Sequence, residues 1–285
     1  MKRNYYFLAS SLIELIRGKT RRAGSVRELV DFCEEQLHPD DFESLKSLFL
    51  FNDIRNLIWH QNPDDPFVTP SYYTLEELTL GAKEPEHLLP FLQEHLANQA
   101  ARTRLHSDLI EIDELTTIFY DHLGDIRDAF VREYYRNELN LRNISVALEL
   151  RENAEPFKGK LIPTGEAYEQ ITRDTAEDFG LSDGFPYIRR LIPLFREPDL
   201  TAREELIEDI RWEWLDEWVS DDIFSSDFVF AYAVKLQSIE RWDSLNMEKG
   251  DELFSELLNT VRRSVRFAIE FSKIEGTATA EKKEQ

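Results

Sequence analysis

The chain has one cysteine, Cys33, among its 285 residues. A single thiol excludes an intramolecular disulfide and any metal centre built on several thiolates. No secretory signal peptide is recognisable either, because Ser10, Ser11 and Glu14 interrupt the first apolar stretch. We therefore expect a protein of the reducing cytoplasm.

Long hydrophobic runs are also missing. The longest, FVFAYAV at residues 228–234, has seven residues, whereas a membrane-spanning helix needs about 20. Any association with a membrane is therefore expected to be peripheral and to depend on partner proteins.

The common nucleotide, zinc and hydrolase motifs do not occur. The sequence contains no GxxxxGK[ST], GxGxxG, HExxH, CxxC or GxSxG. Backbone cradles for phosphate, the usual zinc ligands and the serine nucleophile of hydrolases are therefore missing. We predict a protein without catalytic residues, without a cofactor and without a bound metal ion.

A carboxylate-bridged dimetal enzyme is the remote alternative. Glu35 and His38, like Glu84 and His87, have the i, i+3 spacing that helical di-iron proteins use for their ligands. Pro39 and Pro85 place both pairs at helix ends, and no further pair of inward-facing carboxylates can be identified. In an acidic chain such matches arise easily by chance.

Basic residues are heavily outnumbered. The sequence has 56 Asp and Glu against 34 Lys and Arg, a net charge of −22. Nucleic acid would be repelled on average, so it is a poor candidate partner. The acidity suits contact with basic partner surfaces and equally well suits ordinary solubility. With 42% hydrophobic and 12% aromatic residues, the chain has ample material for a folded core.

Most of the sequence shows apolar residues at helical spacing, and the alternating patterns that are typical of strands are nearly absent. The clearest example is the stretch 114–152, where apolar residues recur every three or four positions. We predict one long helix there, or two packed end to end, with a kink near Gly124 or Asn137. The opening segment 4–17 is predicted to be helical and buried. The expected architecture is all-α.

Three helical segments share a pattern centred on Arg55, Arg142 and Arg241. Each arginine follows aromatic residues and falls in an apolar row of its predicted helix. A guanidinium keeps its charge, so each must reach water or find acceptors. Local acceptors are Asp53, Glu138 and Glu240. The rows predict either three equivalent pair sites around a pseudo-threefold axis or three amphipathic helices with snorkelling arginines.

Four tryptophans, Trp212, Trp214, Trp218 and Trp242, lie in one part of the sequence. They are candidates for a ligand site, but aromatic residues at helical spacing usually belong to a core. We predict core positions for them.

The repeated segments resemble a known family. YYRNELNLRNISVALELR at residues 134–151 is similar to a helix of the C subunit of archaeal-type (A/V-type) rotary ATPases, called the d subunit in the eukaryotic V-ATPase. SSDFVFAYAVKLQSIERWDSL at residues 225–245 resembles its later counterpart. NYYFLASSLIEL at residues 4–15 resembles the start of a divergent branch encoded in bacterial V-type ATPase operons.

The likeness extends over most of the chain, but only these short segments match closely. Asn56 and Asn143 match the family's helix asparagine. Trp242 stands where the third asparagine belongs, and Asn140 replaces an expected acid. The resemblance therefore assigns no residue role in the third repeat.

The resemblance implies a funnel of three pseudo-threefold related helical units on the cytoplasmic face of the membrane rotor ring. We place these units at residues 1–95, 96–166 and 167–275, with a disordered tail at 276–285. The implied function is that of a non-catalytic rotor component linking the ring's proteolipid subunits to the central stalk during proton or sodium transport. The competing hypothesis is a free-standing helical scaffold or regulatory adaptor.

Overall fold

The computed structural model describes residues 3–17, 24–59, 66–106 and 108–246. Over these ranges the regular structure is helical, with no β-strand and one isolated bridge between Asn4 and Ser225. The predicted all-α fold is confirmed. The α-helices are α1 (Tyr6–Ser11), α2 (Val26–Gln36), α3 (Pro39–Ser47), α4 (Leu50–Trp59), α5 (Leu75–Gly81), α6 (Pro90–Ala100), α7 (Glu111–Asp121), α8 (Ala129–Glu152), α9 (Glu166–Arg173), α10 (Ile188–Arg196), α11 (Leu200–Val219) and α12 (Ser226–Asn246).

Local side-chain chemistry determines where several helices begin. Ser25 opens α2 with a capping box, in which its hydroxyl accepts the Glu28 N–H and the Glu28 carboxylate accepts the Ser25 N–H. Thr74 opens α5 in the same way. Asp128 and Asp199 cap α8 and α11 by accepting backbone N–H groups of the first turn.

The central stretch forms two helices. α7 ends at Asp121, a 3-10 turn covers Leu123–Asp125, and Asp128 then caps α8. The break therefore falls at Gly124, one of the two predicted places. Asn137 lies inside the uninterrupted α8.

Two hydrophobic cores lie along α8. The larger one contains α8 side chains up to Leu139, together with residues of α2, α4, α6, α7 and α12. The smaller core contains α8 side chains from Leu141 onward, together with residues of α9, α10 and α11. Because both cores pack on one unbroken helix, α8 joins them mechanically.

The opening segment differs from the prediction. α1 ends at Ser11, whose hydroxyl donates to the Leu8 carbonyl, and the backbone is extended at the next residue. Leu8 is buried and Leu12 and Leu15 pack against the larger core, but Tyr6 is 58% and Ile16 47% exposed. The helix is therefore shorter than predicted, and only part of the apolar face expected from the pattern is buried.

No helix in the described ranges combines the length and apolar character that crossing a bilayer requires. The sequence pattern also predicts an amphipathic helix over 247–271 and a disordered tail at 276–285. Both lie outside the described residues.

Candidate functional site

The three pattern arginines lie on α4, α8 and α12. Arg142 Nη2 forms an ion pair with Asp113 Oδ1 on α7 at 2.7 Å. Arg241 Nη2 pairs with Glu208 Oε2 on α11 at 2.6 Å. Burial lowers the pKa of Arg55. The partners of Arg142 and Arg241 therefore come from neighbouring helices rather than from their own.

Two of the three expected local acceptors serve other groups. Glu138 receives two hydrogen bonds from Arg211, at 2.6 and 2.9 Å. Glu240 accepts the N–H of Val26 at the start of α2. The prediction of Glu138 and Glu240 as partners was wrong, because a helix side chain reaches adjacent helices as readily as its own next turn.

Asn56 on α4 holds the backbone of a later segment through both atoms of its amide. Its Nδ2 donates to the carbonyl of Val68 at 2.9 Å, and its Oδ1 accepts the N–H of Val68 at 2.8 Å. We call this two-bond contact an amide clamp. It fixes the chain that follows α4 onto the helix that precedes it.

Asn143 on α8 forms a second amide clamp. Its Nδ2 donates to the carbonyl of Ile162, and its Oδ1 accepts the N–H of the same residue, both at 3.0 Å. Asn143 and Ile162 are fully buried. The two asparagines that the sequence singled out therefore make the same contact in two parts of the molecule.

A further acceptor stands three residues before each clamp. Asp53 accepts the N–H groups of Tyr72 and Tyr73 at 2.8 and 3.0 Å. Asn140 Oδ1 accepts the N–H of Ala167 in the first turn of α9 at 3.2 Å. α9 has no capping side chain of its own, so Asn140 caps it from α8.

Burial gives Asp53 an unusual titration. Its side chain is inaccessible to solvent, and this burial raises its pKa to about 7 although the Tyr72 and Tyr73 N–H groups lower it. Asn140 at the corresponding position carries no charge. The first clamp therefore contains a titratable group that the second one lacks.

The third segment makes no observed clamp. Trp242 occupies the position of the asparagine on α12, and its indole Nε1 is buried without a hydrogen-bond partner in the described part of the chain. The clamped residues of the first two segments lie 12 and 19 positions after their asparagines. The corresponding positions after Trp242 lie outside the described residues.

An ionic network centred on the buried Glu208 joins α8, α11 and α12. Arg211 lies between Glu138 and Glu208, and Glu208 also binds Arg241. Burial alone would raise the pKa of Glu208, whose side chain is fully inaccessible, but Arg211 and Arg241 lower it below its ordinary value. Burial alone would lower the pKa of Arg211, but the neighbouring carboxylates of Glu138 and Glu208 raise it above its ordinary value. Glu208 and Arg211 therefore stay charged at neutral pH.

A cavity of about 500 Å³ opens beside this network. Helices α4, α8 and α12 all contribute to its wall, so the three repeated segments meet there with α11. Its charged lining residues are Arg55, Glu138, Glu208, Arg211, Glu240 and Arg241. The cavity carries as many positive as negative side chains.

The proposed dimetal ligands do not form one site. In the described residues, the one group of three ligands close enough to share a metal ion is Glu84, Glu86 and His87, all exposed. Glu35 and His38 are not part of it. His38 instead caps α3, where its Nδ1 accepts the N–H of Asp40.

The tryptophan prediction holds in part. Trp214 and Trp218 pack against the larger core beside Phe130, whereas Trp212 donates from Nε1 to Ser238 Oγ. The ionic network was not predicted from the sequence. A signal was present: Glu208 and Arg211 precede the buried Leu215 by seven and four residues, which places them on its helix row.

The comparisons with known proteins identify a family. Residues 1–265 match the family model described as "Protein of unknown function (DUF2764)". Searches of curated proteins and of solved structures gave no significant match. The matched range includes both amide clamps, the ionic network and every described helix, so the chain belongs to the DUF2764 family.

Proposed function

We propose that the protein is a non-catalytic central-rotor subunit of a V/A-type ATPase, which couples the membrane rotor ring to the central stalk. The observation that carries this proposal is the repeated amide clamp. Asn56 and Asn143 are the residues that match the family's helix asparagine, and they make the same pair of backbone hydrogen bonds. A shared contact of this kind supports duplication of a helical unit within the chain.

The proposed architecture is a funnel of three related units around a pseudo-threefold axis. Helices α4, α8 and α12 would occupy equivalent places, and a common cavity lined by all three is what that arrangement requires. The third unit departs from the pattern at Trp242, and part of its predicted range lies outside the described residues. The clamp shared by the first two proposed units therefore supports the proposal most strongly.

A rotor coupler transmits torque through stiff packing and needs no chemistry of its own. The 24-residue α8 is about 36 Å long and takes part in both cores. The network of Glu138, Arg211, Glu208 and Arg241 ties α8 to α11 and α12. These features support a body that moves as one piece.

The proposed partners are the proteolipid subunits of the rotor ring and the subunits of the central stalk. The protein would lie on the inner face of the cell membrane, attached through the complex, and would serve proton or sodium transport. Its net charge of −22 favours basic partner surfaces, where complementary charge speeds and orients association.

Affinity purification tests this proposal. Tagged protein is recovered from native membranes in mild detergent, and co-purifying chains are identified by mass spectrometry. We expect rotor-ring proteolipids and stalk subunits, retained by the Asn153→Ala control and depleted by Asn143→Ala. Recovery of the intact protein alone would refute the coupler function and favour a free-standing helical scaffold or adaptor.

A further inference from the structure

Exposed apolar side chains lie on the N-terminal segment and beside the start of α12. Tyr6 and Phe7 on α1 are 58% and 71% exposed, Ile13 is 60% exposed, and Ile223 is 51% exposed. The Tyr6 ring centroid lies 4.8 Å from that of Phe224, which follows Ile223 in the chain. We call Tyr6, Phe7, Ile13 and Ile223 the N-terminal apolar patch. A group of this kind marks a surface that another chain segment or a partner covers.

The N-terminal segment, which carries most of this patch, runs alongside α12. At its start, the Tyr5 N–H donates to the Phe224 carbonyl at 2.7 Å, just before α12 begins. At its end, Arg17 pairs with Asp209 on α11. The residue before Asp209 binds Arg241, which lies near the end of α12. The N-terminal segment therefore follows α12 from its beginning towards its end.

The chain leaves α12 at the opposite end from Ile223. The described part of α12 ends at Asn246, and Gly250 and Asp251 come shortly afterwards. Gly often ends a helix and Asp often caps the next one, so these two residues predict a turn. Helices joined by a short connection lie antiparallel to each other. A helix that begins after Asp251 would therefore run back along α12 towards Ile223.

The segment 251–271 has the length and the pattern for this return. As a helix it would be about 31 Å long, and the 21-residue α12 is also about 31 Å long. It would therefore reach from the end of α12 back to the level of the patch. One face of the predicted helix is apolar, since apolar residues recur every four positions at Leu253, Leu257, Val261, Val265 and Ile269.

We propose that residues 251–271 of this chain cover the N-terminal apolar patch as a helix antiparallel to α12. Ile269 would lie over Phe7 and Val265 over Ile13, which removes apolar surface from water on both sides. The same chain is the favoured occupant because a tethered segment has an effective concentration of the order of millimolar. A second copy would have to bind without this advantage. The inference is independent of the proposed function, because it rests on the patch and on the chain that follows α12.

Cysteine cross-linking in the full chain tests the position of the segment. Phe7→Cys is combined with Ile269→Cys, and dilute protein is oxidised mildly with diamide. The native Cys33 stays out of the reaction, because it is fully buried and burial raises its pKa to about 12. We expect an intramolecular disulfide, identified by mass spectrometry of the tryptic peptides.

Leu253→Cys replaces Ile269→Cys in the matched control. Both positions belong to the same predicted apolar face, but Leu253 would lie about 24 Å from Ile269 along the helix. We expect no intramolecular disulfide when Phe7→Cys is combined with Leu253→Cys. Equal cross-linking of the two pairs, no cross-linking of either, or a disulfide only between two molecules would overturn the proposal.

Val265→Asp tests whether the segment covers the patch. A charge on the apolar face opposes docking, so we expect binding of the hydrophobic dye ANS to rise several-fold. Asn259→Asp places the same charge on the opposite face of the predicted helix and should leave dye binding unchanged.

Adding Phe7→Ser to Val265→Asp shows whether the dye binds at the patch. It should reverse most of the increase, because Phe7 is the most exposed side chain of the patch. No increase with Val265→Asp, an equal increase with Asn259→Asp, or an increase that Phe7→Ser leaves unchanged would overturn the proposal.

Discussion

The two amide clamps share their contact and differ in their surroundings. Asn56 holds a residue 12 positions later, and Asn143 holds a residue 19 positions later. The loop between helix and clamped segment therefore differs in length, whereas the pair of hydrogen bonds is the same. The two parts of the molecule share a contact geometry rather than a sequence spacing.

The clamps also differ in charge and in access to water. Three residues before the asparagine, the first clamp has the buried Asp53 and the second has the neutral Asn140. Val68 is half-buried, whereas Ile162 is fully buried. The first clamp should therefore respond to pH, and the second should bear the larger cost when its hydrogen bonds are lost.

Replacing Asp53 with asparagine should remove the pH response of the first clamp. The pKa of this carboxyl is raised from 3.8 to about 7 by burial. Between these values the folded chain holds a proton that the unfolded chain has released, so the contribution of Asp53 to stability falls as pH rises. From pH 5 to pH 8, wild type should lose about 3 kcal/mol relative to Asp53→Asn.

Urea unfolding of both proteins at a series of pH values measures this difference. The range from pH 5 to pH 8 lies above the isoelectric point near 4.7. Measurements at the isoelectric point itself are avoided because a low net charge there promotes association of the protein. Asp183→Asn, at an exposed position, serves as the charge-matched control and should parallel wild type. Parallel profiles for wild type and Asp53→Asn would contradict the titration assigned to the first clamp.

Replacing each clamping asparagine with alanine should show which of the two contacts contributes more to the free energy of unfolding. Asn143→Ala leaves the fully buried N–H of Ile162 without a partner and should lower the free energy of unfolding by about 2–3 kcal/mol. Asn56→Ala should cost about 1 kcal/mol, because water can reach the half-buried Val68. Chemical denaturation of the two variants gives the ranking.

Asn153→Ala is the control for these substitutions, since Asn153 is an exposed asparagine just beyond α8. It should cost less than either clamp variant. A larger loss for Asn56→Ala than for Asn143→Ala would show that burial of the clamped residue does not decide the cost.

Local features of the fold were predictable, and contacts between helices were not. The capping boxes at Ser25 and Thr74 depend on side chains three residues apart, so the sequence contains the whole interaction. Asn56 and Asn143 were recognisable as special positions, but their partners lie across loops whose path the sequence does not specify.

The missed ionic network shows the same limit. Glu208 and Arg211 share a helix row with buried Leu215, yet the partners Glu138 and Arg241 come from α8 and α12. Which carboxylate meets which guanidinium depends on the packing of three helices. A charged residue in an apolar row indicates a buried pair, and only the tertiary structure identifies its partner.

The smallest expected effect concerns Asn140, which caps α9 from a different helix. Asn140→Ala removes the acceptor for the Ala167 N–H and should lower the free energy of unfolding by about 0.5–1 kcal/mol. The loss is small because Asn140 is only half-buried and water can replace it.

Asn140→Asp keeps the acceptor oxygen and creates the acid that stands at this place in the first clamp. It should retain the capping bond, and its stability should lie closer to wild type than that of Asn140→Ala. Hydrogen exchange of the Ala167 amide reports on the cap directly, with faster exchange expected in Asn140→Ala alone. Equal exchange in all three proteins would mean that α9 begins without help from α8, and the two clamps would then share only their asparagine contact.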